Sequence, residues 1–110
     1  PSLIIGYSPC EMHGIKGGMV NCQSEMKKAV TSGYWFNFRF DPRKKTAGAN
    51  PFQMDSKEPT GDYLEFIGNE TRYSRLKLSF PDRANELFGE AVDQSKERYE
   101  YLMKLSKLYE

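Results

Sequence analysis

Residues 2–22, SLIIGYSPCEMHGIKGGMVNC, constrain this chain more than any other stretch. Leu3-Ile4-Ile5 is a short, β-branched apolar run closed by Gly6 and Pro9, the pattern of a fully buried strand rather than a helix. Pro9 has no backbone N–H and a fixed φ, so the strand is expected to end near Tyr7 or Ser8. Cys10 then falls just past the carboxyl end of the strand, where open α/β sheets bind their ligands. Gly14, Gly17 and Gly18 permit positive φ, and Asn21 stands where it can cap a helix. A glycine-rich loop running into a helix can hold an anion, here with Lys16 beside it. The spacing nevertheless matches neither a Walker loop nor a dinucleotide fingerprint.

The remainder divides at Thr60. Residues 21–32 read as a helix ending at Gly33, with Met26, Ala29 and Val30 as its apolar face and Lys27 and Lys28 outward. Residues 34–41, YWFNFRFD, alternate with period two and read as a strand stopped by Pro42. Residues 41–60 read as a loop, within which residues 52–55 can return as a second strand of a hairpin. The run Asp55-Ser56-Lys57-Glu58-Pro59 reads as a turn with surface ion pairs. Beyond it the chain is helical. Residues 62–68 follow Thr60 as cap, residues 71–80 carry Tyr73, Leu76 and Phe80 on one stripe, and Pro81 opens a last helix to about Tyr109. Eight basic and five acidic side chains in residues 1–59, against eight and ten in residues 60–110, make the halves +3 and −2.

The size, 110 residues, allows one domain at most, and the net charge of +1 gives no mandate for nucleic acid or a membrane surface. Aromatics interleaved with Arg39 can in principle stack single-stranded nucleic acid, but the charge balance argues for a core strand instead. No apolar run approaches the length of a membrane span, and no signal peptide is visible. A buried-type strand wants neighbours on both sides, so the chain reads as the C-terminal piece of a larger polypeptide. Cys10 and Cys22 are too few for a disulfide framework and form no C-x-x-C pair. On residue type alone, Cys10 is either a small buried thiol or a ligand, His13 a backbone-bonded histidine or a site residue, and Cys22 an inert thiol in the first turn of a helix.

Several motifs carry a resemblance when taken together. Tyr7-Ser8-Pro9-Cys10, His13-Gly14-Ile15, Gly17-Gly18-Met19, Lys27-Lys28-Ala29-Val30 and Gly33-Tyr34-Trp35 resemble a segment near the C-terminus of pyruvate:ferredoxin (flavodoxin) oxidoreductases. Asn50-Pro51-Phe52, Asp55-Ser56-Lys57-Glu58-Pro59, Arg72-Tyr73, Leu76 and Phe80-Pro81 continue it in order. Glu11, Met12 and Cys22 depart from the usual pattern. The resemblance implies an α/β fold: residues 1–59 as the end of a doubly wound thiamine-diphosphate-binding domain (β–loop–α–β), and residues 60–110 as a helical C-terminal extension. It implies a cytoplasmic, homodimeric enzyme that oxidatively decarboxylates pyruvate with coenzyme A and passes electrons through [4Fe–4S] clusters to ferredoxin or flavodoxin. It makes Cys10 the fourth ligand of one cluster, with His13 beside that cluster or the thiamine. The Gly61-Asp62 pair lacks the rest of a magnesium–diphosphate motif, so thiamine diphosphate and Mg would be held elsewhere. No catalytic residue is expected in this chain, which alone would be inactive and bind none of these cofactors. The competing reading is a packing or subunit-interface module without chemistry.

Overall fold

A computed structural model describes residues 1–110. Five helices and one antiparallel hairpin follow the first eighteen residues. They are α1 (Cys22–Thr31, preceded by a 3-10 turn at Met19–Asn21), β1 (Phe38–Phe40), α2 (Pro42–Thr46), β2 (Phe52–Met54), α3 (Tyr63–Asn69), α4 (Thr71–Ser79) and α5 (Pro81–Leu108). At 28 residues α5 is roughly 42 Å long and sets the long axis of a 52 × 29 × 24 Å molecule.

Two small cores form along α5. In the first, Ala29 of α1 and Phe66 and Ile67 of α3 are buried, with Tyr7, Tyr34, Trp35, Tyr63, Tyr73 and Phe88 packed around them. Burying a side chain the size of Phe66 contributes about 1.5–3 kcal/mol. In the second, Phe36, Phe52 and Leu102 are buried against Met54, Tyr99 and Leu105. Ser95 lies between the two on α5 and donates to the carbonyl of Gly33 at 2.6 Å. Gly33 ends α1 with φ 84°, and a Cβ there would stand 2.9 Å from Ser95 Oγ and 3.0 Å from Pro59, so only glycine fits this crossing.

The hairpin pairs Phe38 with Met54, Arg39 with Gln53 and Phe40 with Phe52. The Arg39 guanidinium closes on both carboxylate oxygens of Asp55, at 2.9 and 2.8 Å. Asn50 fastens the return strand to α5, donating to the Ser106 carbonyl at 2.8 Å and accepting from the Phe52 amide at 2.9 Å.

The structure differs from the sequence expectations in several places. Leu3-Ile4-Ile5 forms no strand and its side chains are largely exposed, because no strand of this chain lies beside it to complete a ladder. The sheet within this chain is a two-stranded antiparallel hairpin, and the mixed helix-and-strand fold is compatible with an α/β fragment. The strand of residues 34–41 shrinks to Phe38–Phe40, since Tyr34, Trp35 and Phe36 turn into the two cores. The loop of residues 41–60 contains α2, for which Asp41 is N-cap and Pro42 the first residue. Asp62, not Thr60, caps α3, accepting from the Glu65 amide at 3.1 Å, while Thr60 and Gly61 donate to the Thr31 carbonyl at 3.0 and 2.8 Å. Asn21 makes no side-chain cap bond. The turn after β2 is partly internal: Ser56 is buried and its hydroxyl accepts from the Asn37 amide at 2.7 Å.

Candidate functional site

The loop that carries Cys10 and His13 is held by its backbone. Gly14 N–H donates to the Cys10 carbonyl at 2.8 Å and closes a tight turn, for which Gly14 adopts φ 75°. The next residues dock on the junction of α3 and α4. Ile15 is buried and bridges Glu70, Lys16 N–H donates to the Asn69 carbonyl at 2.8 Å, and Thr71 N–H donates to the Gly14 carbonyl at 3.3 Å. Gly18 N–H donates to the Ile15 carbonyl and Asn21 N–H to that of Gly18, at 3.0 and 3.1 Å. These amides are engaged within the fold and are not free to hold an anion, and Lys16 is exposed.

The docked base leaves the tip accessible. Pro9 is buried, Cys10 is half-buried, and Glu11, Met12 and His13 are exposed. Cys10 Sγ lies 3.0 Å from His13 Nδ1. The two residues that the sequence singles out thus meet across one turn, with sulfur facing imidazole rather than an apolar core. Cys22 is a free thiol at the first position of α1, and none of the hydrogen bonds of the fold uses its sulfur. A single half-exposed thiol suits one terminal ligand of a cluster whose other ligands come from elsewhere. No three His, Cys, Asp or Glu side chains converge in the chain.

Behind the loop lies a polar cluster that the sequence reading missed. Glu25 on α1 and Glu70 at the α3–α4 junction are both buried, and the Tyr7 hydroxyl donates to Glu70 Oε1. Glu25 Oε1 is buried without any partner. Burial first, and Glu70 second, push the Glu25 carboxyl above its ordinary range. Burial and the bond to Glu70 push the Tyr7 hydroxyl far up as well. Glu25 stands four residues before Ala29, so the helical period places it on the buried face, and that was the signal available. A groove of about 720 Å³ between α5 and residues 58–64 is lined by Glu58, Asp62, Tyr63, Lys96, Tyr99 and Glu100 among others, and contains neither Cys10 nor His13.

No protein-family model matches the chain. Among curated proteins it is 46% identical over 106 residues to the pyruvate-flavodoxin oxidoreductase of Enterobacter agglomerans, covering 96% of this chain and 9% of that protein. It is 45% identical over 107 residues to the pyruvate:ferredoxin oxidoreductase of Moorella thermoacetica, covering 97% and 9%. It is 42% identical over 99 residues to the mitochondrial pyruvate dehydrogenase [NADP(+)] of Euglena gracilis, covering 90% and 6%. The chain thus spans less than a tenth of the length of these relatives.

Proposed function

The chain is a homologue of pyruvate-flavodoxin and pyruvate:ferredoxin oxidoreductases that matches one segment of those much longer enzymes, and we propose that it supplies one cluster ligand to such an enzyme. The parent would convert pyruvate and coenzyme A to acetyl-CoA and CO2. The carboxylate carbon leaves as CO2, the acyl carbon joins the thiol sulfur, and two electrons and one proton are released. Thiamine diphosphate with Mg, held outside this chain, would supply the electron sink for decarboxylation, and [4Fe–4S] clusters would supply one-electron transfer to ferredoxin or flavodoxin. In this reading residues 1–59 end the thiamine-diphosphate-binding domain of a doubly wound fold, residues 60–110 extend it, and the parent is a cytoplasmic homodimer.

The role of this chain's own residues is limited and specific. Cys10 would be the terminal ligand that closes one cluster, and the backbone bonds of Gly14, Lys16 and Thr71 hold the turn that carries its sulfur. His13 Nδ1, when it carries the proton, donates to Cys10 Sγ and draws charge from it, as a neighbour tunes a metal ligand. The observation that carries the proposal is the Cys10–His13 contact at an accessible, backbone-pinned turn in a segment homologous to these oxidoreductases. The test is pyruvate-dependent reduction of ferredoxin or flavodoxin by the full-length protein. Cys10→Ser should abolish it and Cys22→Ser should leave it intact. Retained reduction in the Cys10 variant would return the segment to a packing module.

A further inference from the structure

Glu25 Oε1 is the one buried side-chain oxygen or nitrogen in the fold without a hydrogen-bond partner, in a residue only 4% exposed. Beside it stands a second carboxyl, Glu70, which is 8% exposed and is the residue on which the Cys10–Gly18 loop docks. Every element packed here contributes. The N-terminal segment brings the Tyr7 hydroxyl to Glu70, α3 ends at Asn69 beside Glu25, and α1 carries Lys28 one turn beyond. The segment after α1 brings Tyr34, whose hydroxyl is bonded at 2.8 Å to that of Tyr73 on α4. Lys28 is solvent-exposed and is the only cation near Glu25, so it screens the pair weakly.

We propose that Glu25, Glu70 and Tyr7 form a proton-dependent latch fastening the Cys10–Gly18 loop to the helices. Two neighbouring buried carboxyls cannot both ionise cheaply, and one proton between them relieves the repulsion. Burial disfavours the charged form of Glu25, and no donor faces its Oε1. Loss of that proton sets two like charges against each other at the anchor of the loop. The consequence falls on the bonds made there: Lys16 N–H to Asn69, Thr71 N–H to Gly14, and the bridge of Ile15 to Glu70. The latch is a property of these residues and does not depend on a cluster at Cys10.

Hydrogen–deuterium exchange by mass spectrometry on the full-length protein tests it, with rates corrected for the intrinsic effect of pH. In the wild type, peptides containing Lys16 and Thr71 should lose protection as pH rises through the titration of Glu25, by up to about tenfold per pH unit. Glu25→Gln should keep them protected and flat with pH, and Glu70→Gln should flatten the profile too. A peptide from the far half of α5, around Leu102, should not change in any of them. Wild-type protection that is constant with pH, a fall that persists in both variants, or a fall shared equally by the Leu102 peptide would overturn the latch.

Discussion

Single residues decide where the loop stands and what its tip can do. Glu25 has a sign that can be checked against stability. Burial raises its carboxyl above the ordinary value of 4.5, so the protonated form contributes stability that is fully present below that pH and is lost as pH rises through the folded-state value. Glu25→Gln should therefore match the wild type in acid and exceed it at neutral pH in denaturant titrations of the protein. Equal stability at both would refute the raised carboxyl. His13 makes a separate claim on the proposed cluster. His13→Ala should leave iron bound but shift the reduction potential of that cluster negative, and His13→Asn should recover much of the shift by restoring an N–H toward sulfur. An unchanged potential in the alanine variant removes the role of the imidazole. Cys10 and His13 stood out in the sequence through the resemblance, and the structure adds that the His13 ring returns to the Cys10 sulfur across one turn. Glu25, Glu70 and Tyr7 did not stand out, since they lie in three separate elements and become neighbours only when α1, α3 and the N-terminal segment pack.

At the level of elements, legibility follows the range of the interactions. The helices α1, α3, α4 and α5 appear within a residue or two of the apolar periodicity and punctuation that announce them, because their hydrogen bonds are local. The hairpin was legible too, since its strands are separated only by residues 41–51. The Leu3-Ile4-Ile5 strand is a different matter: pairing is non-local, and an apolar run specifies a strand only where a neighbour exists. Two substitutions measure how the elements hold together. Asp62→Ala removes the cap of α3 and should cost about 1 kcal/mol. Leu102→Ala opens a cavity where α5 meets Phe36 and Phe52 and should cost about 2–5 kcal/mol, with the hairpin amides losing protection first. Calorimetric unfolding reads both, and a neutral Leu102→Ala would show that the hairpin does not depend on α5.

The whole molecule is long for its size, with two modest cores strung on one helix and an apolar stretch left outside them. Leu3, Ile4 and Ile5 are 84%, 92% and 71% exposed, three consecutive side chains that a packed sheet would cover. The 110-residue chain in isolation should therefore self-associate, and Ile4→Lys should reduce that association in light scattering; a wild-type chain that stays monomeric at high concentration would contradict this. No helix is long and apolar enough to cross a membrane. The proposed role of Cys10, closing an iron–sulfur cluster in a parent oxidoreductase, has a direct readout. The most direct measurement is iron and acid-labile sulfide per polypeptide in anaerobically purified full-length Cys10→Ser protein beside the wild type and Cys22→Ser. The account predicts that the Cys10 variant lacks one cluster's complement, about four irons, while Cys22→Ser keeps all of it. A full complement in Cys10→Ser would contradict it.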